Sequence, residues 1–217
     1  MPLEITKRLF TLIRYLFFEG LSVKFPPGTA KKLIDFLYVT FEKISIKFDL
    51  LSSYYLEMYQ EIVDKEIKMA GISSKDQVVV IGCGSLPITA VLVAKISKAH
   101  VVAIDNDKRA VNEAAKYIRK QHLENRVDIE YADGKLFQIN SFDVIYLAYG
   151  LKKKEEIFDV LIKSSKKNSR IIFRTVIGTD EEKKKNITEL SKWFLVKDSI
   201  KSDIMPPSGS YLLFRKD

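Results

Sequence analysis

A short loop near the middle of the chain carries the residues whose types and spacing best suit binding chemistry. It follows the apolar run VVVI and consists of Gly82, Cys83, Gly84, Ser85, Leu86 and Pro87. Two glycines let a backbone approach a ligand closely, although an ordinary strand-to-helix turn uses the same residues. Asp105 lies 21 residues after Gly84, where a carboxylate can accept both ribose hydroxyls of a nucleoside. This spacing favours a nucleoside site over a plain turn.

Two further acidic positions each have two interpretations. Asp107 precedes a helical segment, so either Asp105 or Asp107 could be its N-cap; we predict Asp105 for the ribose, with Asn106 beside it, and Asp107 for the cap. Asp133 and Gly134 follow the third predicted strand, where the aspartate would accept the amino hydrogens of an adenine or would simply form a turn.

The sequence also restricts which nucleoside-containing ligand the loop could bind. The loop lacks the third glycine of dinucleotide motifs and has no Gly-Lys-Ser/Thr, which disfavours pyrophosphate and triphosphate ligands. S-adenosylmethionine fits better, because its methionine end would lie at a helix N-terminus. Its sulfonium is a cation, and the aromatic rings of Tyr146 and Tyr149 could contact it. These two tyrosines flank Leu147 and Ala148 in the sequence. Packing in the core is the alternative role for Tyr146. We therefore predict S-adenosylmethionine as the cofactor.

The elements that would position these residues alternate between strand and helix from about Gln77 onward. Two final strand patterns, FLVKDSI and SYLLFRK, are joined by a short loop and predict an antiparallel edge strand. The expected fold is α/β: a doubly wound Rossmann-like methyltransferase fold with a mostly parallel seven-stranded sheet and an antiparallel last strand.

The first part of the chain shows helical periodicity only, interrupted by Pro26 and Pro27. Gly71 offers a left-handed end to the last of these helices. We expect residues 1–71 to form a small helical cap and residues 72–217 to form the S-adenosylmethionine-binding catalytic domain.

Composition excludes several classes of protein. No apolar run approaches the ~18 residues of a membrane span and no secretory cleavage site is evident, so a cytoplasmic protein is expected. The single cysteine and the spacing of His100 and His122 predict no disulfide and no metal site. The net charge of +8 permits a nucleic-acid partner but does not favour one. Oligomeric state stays open, a homodimer included.

Beyond its fold, the sequence resembles a family. The segment GCGSLPITAVLVA resembles the first motif of nicotianamine synthases, and YYLEMYQEIVDKE resembles their tyrosine-rich helix, with Tyr59 and Glu66 at the matching spacing. Downstream, FDVIYLAYGLKKKEE and IIFRTVIG resemble the fourth and fifth strands. The resemblance covers about residues 50–217.

The resemblance implies nicotianamine biosynthesis or a related reaction. Such enzymes move the aminocarboxypropyl arm of S-adenosylmethionine onto an amine and release methylthioadenosine. Tyr59, paired with Glu42, is then the candidate to relay the proton of a small amino-acid-like acceptor. Tyr55, Arg174 and Thr175 are candidate substrate contacts, although packing of the tyrosines and a surface salt bridge for Arg174 are the alternatives.

The sequence also departs from the family, and other functions stay open. The cap is short, an acidic run at Thr179–Asp180–Glu181 replaces a common arginine, and Gly209 replaces an asparagine. The main alternative is a methyltransferase acting on a small molecule, a protein or tRNA. Aminocarboxypropyl transfer to tRNA and a non-catalytic cofactor sensor are the others.

Overall fold

The computed structural model describes residues 49–148, 151, 154–176, 179–202 and 208–216. Within them, helices and strands alternate as the sequence predicts. The elements are α1 (Asp49–Ala70), β1 (Gln77–Ile81), α2 (Ile88–Ser97), β2 (His100–Asp105), α3 (Lys108–Lys120), β3 (Val127–Tyr131), β4 (Val144–Leu147), α4 (Lys154–Ser164), β5 (Arg170–Val176), α5 (Asp180–Leu190), β6 (Phe194–Ser202) and β7 (Ser208–Arg215).

The strands form one seven-stranded sheet in the order β3-β2-β1-β4-β5-β7-β6. Strands β1 to β5 pair in parallel, and β7 pairs antiparallel with both β5 and β6. The strand order reverses between β1 and β4, which is the place where open α/β sheets bind their ligands. The predicted fold class is confirmed.

The prediction that the antiparallel strand lies at the edge of the sheet is wrong. Strand β7 lies between β5 and β6, and its residues from Gly209 to Leu213 are all buried. The edge is β6, where exposed residues recur and the register shifts between Val196 and Asp198. An inner strand needs partners on both sides and apolar cover on both faces, and SYLLF suits that better than FLVKDSI does.

Helices cover both faces of the sheet. The chain moves one way from β1 through α2, β2 and α3 to β3, then the opposite way from β4 through α4 to β5, so right-handed crossovers put α4 on the face opposite α2 and α3. The α4 face holds a large apolar core, in which the Phe158 ring packs edge-on against Phe173 and Phe194, with centroids 5.4 and 5.1 Å away.

Helix α1 runs opposite to the parallel strands. It ends at Ala70, and Gly71 follows with φ +60°, the left-handed end that the sequence predicts. The Arg170 guanidinium, at the start of β5, donates to the carbonyls of Ala70 and Gly71 at 3.0 and 2.9 Å and pairs with Asp76. The carboxyl end of α1 therefore lies at the amino edge of the sheet, and Glu66, one turn earlier, lies further toward the carboxyl edge beside Arg174.

The chain divides into two compact units, residues 1–55 and residues 56–217. The sheet and residues 56–70 of α1 belong to the latter unit. The predicted boundary between residues 71 and 72 stays a prediction, because the cap falls mostly on residues 1–48, which lie outside the described residues. No helix among the described residues has both the length and the apolar character that a membrane crossing needs.

Candidate cofactor and active site

The loop after β1 has a backbone that only glycine adopts readily at two positions. Gly82 has φ +81° and Gly84 has φ +66°. A Cβ added at Gly82 would lie 2.8 Å from Cδ2 of Leu151, and the amide of Ala148 donates to the carbonyl of Ile81 at 3.1 Å. The loop thus packs closely against Ala148 and Leu151, and the amides of Gly82 and Cys83 both donate to the carbonyl of Ile104 at the end of β2.

Asp105 ties this loop to the end of β2. Its Oδ2 accepts a hydrogen bond from the Gly84 amide at 2.8 Å, and its Oδ1 accepts one from the Asp107 amide at 2.9 Å. Each carboxylate oxygen keeps a second acceptor position, so the predicted ribose contact remains open to it. Asp107 accepts from the amides of Arg109 and Ala110, which confirms its predicted role as the N-cap of α3.

The segment after β3 approaches the same place. A Cβ added at Gly134 would lie 2.6 Å from Cγ2 of Ile81, so only glycine lets this segment pack on the end of β1. Asp133 accepts from the Lys135 amide at 3.0 Å and pairs with the Lys135 ammonium at 3.4 Å. The turn interpretation of Asp133 is therefore confirmed, and its contact with an adenine stays a prediction.

Helix α2 begins beside the loop without a side-chain cap. Leu86 and Pro87 are buried, Ser85 is half-buried, and Pro87 occupies the N-cap position with no side-chain hydrogen bond. The Ile88 amide turns back to the carbonyl of Leu86 at 2.8 Å. The next amides and the positive end of the helix dipole suit a carboxylate such as that of a methionine.

These observations fit S-adenosylmethionine. The loop, Asp105, the Asp133–Gly134 turn and Ala148 come together at the carboxyl edge where the strand order reverses, as the sequence predicts. Asn106 is exposed beside Asp105. Tyr149 and Glu42, and the side chain of Tyr55, lie outside the described residues, so those assignments stay predictions.

A buried ion pair lies close to this edge. The Glu66 side chain is 0% exposed, and its two oxygens accept hydrogen bonds from Nε and Nη2 of Arg174 at 2.7 and 2.6 Å. Nη1 of Arg174 donates to Oγ1 of Thr89 at 2.7 Å, and the Ser210 hydroxyl donates to Glu66. The pair is bidentate, charge-balanced and further hydrogen-bonded, which is the arrangement that a buried ion pair requires.

Arg174 therefore forms a buried ion pair and not the surface salt bridge that the sequence offers as the alternative to a substrate contact. Its guanidinium already binds a carboxylate from within the chain, and its side chain is only 10% exposed. Binding of an acceptor carboxylate by Arg174 stays a prediction that would require this pair to rearrange. Thr175 is half-buried and pairs in register with Gly209.

Tyr146 lies under the Arg174 guanidinium, whose central carbon is 5.6 Å from the ring centroid. The tyrosine is 1% exposed, and its hydroxyl has no hydrogen-bond partner among the described residues. Burial raises the pKa of the Tyr146 phenol well above 10.0, Glu66 raises it further, and Arg174 opposes the rise. Tyr146 thus stays protonated at neutral pH and is no general base.

Tyr59 lies in α1, the helix that also carries Glu66. It lies seven residues before Glu66 in α1, so the two side chains share a face of the helix. At 1.5 Å per residue, Tyr59 is about 10 Å further along the axis, away from the amino edge of the sheet. Tyr59 is half-buried. The helix direction therefore places it toward the carboxyl edge.

Among the partners of Arg174, only Glu66 is marked in the sequence, by its spacing from Tyr59, whereas Thr89 and Ser210 are not. A signal for Glu66 is present in the sequence, because it interrupts an apolar stripe at helical spacing. The stripe consists of the buried residues Ile62, Val63, Ile67 and Ala70. A carboxylate on such a stripe needs a buried partner, and the arginine inside the apolar strand β5 supplies it.

Comparison with known families identifies the fold family directly. A family described as a methyltransferase domain matches residues 72–207. The chain belongs to this methyltransferase domain family. Its membership confirms S-adenosylmethionine as the cofactor, and the resemblance to nicotianamine synthases agrees with the structural neighbours.

The methyltransferase domain is similar to L-histidine 2-aminobutanoyltransferase of Yersinia pestis, with 30% identity over 122 residues that cover 55% of this chain and 45% of that enzyme. The chain spans less than half the length of the curated relatives that it matches.

Among solved structures, a mutant of the nicotianamine synthase MtNAS with S-adenosylmethionine has 20% identity and a TM-score of 0.75, covering 100% of this chain and 93% of that one. MtNAS with MTA and tNA has 20% identity and a TM-score of 0.73, covering 100% and 90%. At these identities the likeness concerns the fold alone.

The remaining sequence predictions concern the two histidines, a metal site, partners and location. His100 Nε2 lies 3.3 Å from an oxygen of Asp128, and His122 adopts φ 54° after α3. Across the described ranges, no cluster of three or more histidine, cysteine, aspartate or glutamate side chains could hold a metal ion. The nucleic-acid partner, the oligomeric state and the cytoplasmic location stay predictions.

Proposed function

We propose that this methyltransferase domain transfers the aminocarboxypropyl group of S-adenosylmethionine to an amine of a small amino-acid-like acceptor. The amine nitrogen forms a bond to the carbon of that arm next to sulfur. The carbon–sulfur bond breaks with its electron pair left on sulfur, methylthioadenosine departs, and the nitrogen loses one proton.

The observation that carries this proposal is the sequence similarity to two enzymes whose names state the transfer of a 2-aminobutanoyl group and not of a methyl group. The name of the Yersinia relative, L-histidine 2-aminobutanoyltransferase, gives a 2-aminobutanoyl group as the group transferred. The same name includes an amino acid, L-histidine. The fold alone does not choose between groups, because a sulfonium has three carbons open to attack. Which carbon faces the acceptor nitrogen is decided by positioning.

In this proposal the residues take the following roles. The glycine loop and Asp105 hold the nucleoside, and the uncapped start of α2 receives the methionine carboxylate. The Tyr59 hydroxyl accepts the proton of the acceptor nitrogen and passes its own proton to the Glu42 carboxylate. Tyr146 contributes no base, because its buried phenol stays protonated.

Methyl transfer to a small molecule is the second candidate. The family description itself favours it, since the matched family is a methyltransferase domain. Both candidates use the same loop and the same Asp105, so binding experiments alone do not separate them.

Identification of the nucleoside product separates the two candidates. The purified protein is incubated with S-adenosylmethionine and L-histidine, then with amino-acid pools, and the nucleoside is identified by mass. Methylthioadenosine that depends on the acceptor supports the proposal, and S-adenosylhomocysteine contradicts it in favour of methylation. Binding without either product would instead indicate a sensor. Asp105→Ala serves as the inactive control and Asp107→Asn, two residues away, as its matched partner.

A further inference from the structure

We propose that Glu66 and Arg174 are positioning residues that set Tyr59 against the cofactor loop. The proposal rests on the role proposed above for Tyr59. Neither residue touches the reacting atoms in this account; both act through the elements that they join. We call Glu66, Arg174, Thr89 and Ser210 the buried hub.

The hub joins four elements that surround the site. Glu66 belongs to α1, Thr89 to the first turn of α2, Arg174 to β5 and Ser210 to β7. The contacts between them are hydrogen bonds centred on two residues that are 0% exposed, Glu66 and Ser210, while Arg174 and Thr89 are half-buried. Such bonds have fixed geometry and low tolerance for displacement.

Two of these elements carry the reacting partners. Helix α1 carries Tyr59 on the same face as Glu66, two helical turns away. Helix α2 starts at Ile88, immediately after the cofactor loop, and Thr89 is its second residue. Through Arg174, the hub therefore fixes the start of α2 relative to the helix that holds the candidate base.

Packing alone does not explain the hub. A leucine or methionine at position 66 would continue the apolar stripe of α1, and a buried ion pair adds little net stability over such a replacement. A bidentate pair, however, allows one orientation only. Displacement of a reacting group by about 1 Å can reduce turnover about 100-fold.

The chain supplies a matched control at the other end of β5. Arg170 lies on the same face as Arg174, four residues earlier, and pairs with Asp76 while it holds the end of α1. This second pair contacts neither the start of α2 nor the cofactor loop. It joins an arginine to an aspartate rather than to a glutamate, and it holds α1 at Ala70 and Gly71, the end of the helix that is farther from Tyr59.

The test compares Glu66→Gln and Arg174→Lys with Asp76→Asn and Arg170→Lys. We expect turnover at saturating cofactor to fall about tenfold or more in the hub variants, because Tyr59 moves relative to the loop. The dissociation constant for S-adenosylmethionine should change by a smaller factor than turnover does, because the Asp105 contacts are intact and only the start of α2 is released. The control variants should lower the melting temperature while turnover stays within about twofold.

Hydrogen exchange in α1 provides a readout that needs no activity. Faster exchange of residues 56–66 in the hub variants, with unchanged exchange in β1 and β2, is expected. If Glu66→Gln does not fold, Thr89→Val removes one acceptor of Arg174 without a change in charge, and turnover should fall in the same direction. Hub variants that lose stability but keep full turnover would overturn the proposal.

The outcome is separable from that of the proposed function. The hub is judged from the rate of nucleoside release, whichever nucleoside is released. The proposed function is judged from the identity of that nucleoside. A methyltransferase with a rate that depends on the hub would contradict the proposed function and leave the positioning role intact.

Discussion

The two arginines of β5 form similar ion pairs in different surroundings. Arg170, at the amino edge, is 21% exposed and pairs with Asp76, which is 13% exposed. Arg174, near the carboxyl edge, is 10% exposed and pairs with Glu66, which is 0% exposed. The first pair closes the end of α1 on the sheet, whereas the second lies among the elements that carry the candidate site.

The difference follows from topology. In a parallel sheet, loops at the amino edge join helices to strands and serve the fold, while loops at the carboxyl edge hold ligands. At the carboxyl edge, an ion pair that is removed from water can therefore be retained at a cost in stability if it fixes the positions of elements that carry the candidate site. The four predictions below test this contrast, from the largest expected effect to the smallest.

Loss of the buried carboxylate should have the largest effect on stability. Glu66→Ala leaves the Arg174 charge buried without its partner, so we expect the free energy of unfolding to fall by about 3–5 kcal/mol. Asp76→Ala should reduce it by only about 1–2 kcal/mol, because water reaches Arg170. Urea unfolding followed by circular dichroism measures both. Equal losses would remove the contrast between the two edges.

Removal of one hydroxyl from α1 should affect turnover without affecting binding. Tyr59→Phe should reduce turnover about 100-fold, which is typical for the loss of a proton-transfer group, and leave the cofactor dissociation constant nearly unchanged. Steady-state kinetics and calorimetry provide the two values. Tyr131→Phe, at the exposed end of β3, is the matched control. Turnover of Tyr59→Phe equal to that of the control would return Tyr59 to a packing role.

Neutralisation of the aspartate at the end of β2 should weaken cofactor binding. Asp105→Asn changes the acceptor of the Gly84 amide and of the proposed ribose hydroxyls, so we expect the dissociation constant to rise about 10- to 100-fold. Asp107→Asn keeps a good cap for α3 and should bind as the wild type does. An unchanged affinity in Asp105→Asn would contradict the ribose assignment.

The smallest effect concerns acid sensitivity at the amino edge. Partial burial raises the pKa of the Asp143 carboxyl. The hydrogen bond from the Gln77 amide and the positive charges of Lys166 and Arg170 lower it, and together they outweigh burial, so the pKa lies below 3.8. A lowered pKa in the folded state stabilises the fold above pH 3.8, and this contribution is lost as the pH falls below that value.

Asp143→Asn should therefore flatten the loss of stability in acid without changing turnover at neutral pH. Thermal unfolding at a series of pH values between about 2 and 6 measures the slope. A slope identical to that of the wild type would show that Asp143 does not contribute to this acid sensitivity.

Much of the fold could be predicted because its signals are local. Alternating apolar runs, the two loop glycines and the spacing to Asp105 each depend on residues close in sequence, and all three are found where expected. The prediction that the antiparallel last strand lies at the edge is wrong, since β7 lies inside the sheet and β6 forms the edge. Which strand is inside depends on the burial of both its faces and not on its position in the sequence.

The hub could not be predicted in the same way. Glu66 and Arg174 are 108 residues apart, and nothing local in either segment names the other. The sequence showed two charges inside apolar patterns, which indicates buried partners, but only the fold shows which charges meet. For the same reason, the sequence offers Arg174 only as a candidate substrate contact or a surface salt bridge and does not show its buried partner Glu66.

The central claim is that the transferred group is the aminocarboxypropyl arm. The most direct measurement uses S-adenosylmethionine labelled either in the methyl carbon or in the carboxyl carbon, with the acceptor that supports turnover. The account predicts that the carboxyl label enters the product while the methyl label stays with the released nucleoside. Methyl label in the product, with the carboxyl label left on the nucleoside, would contradict it.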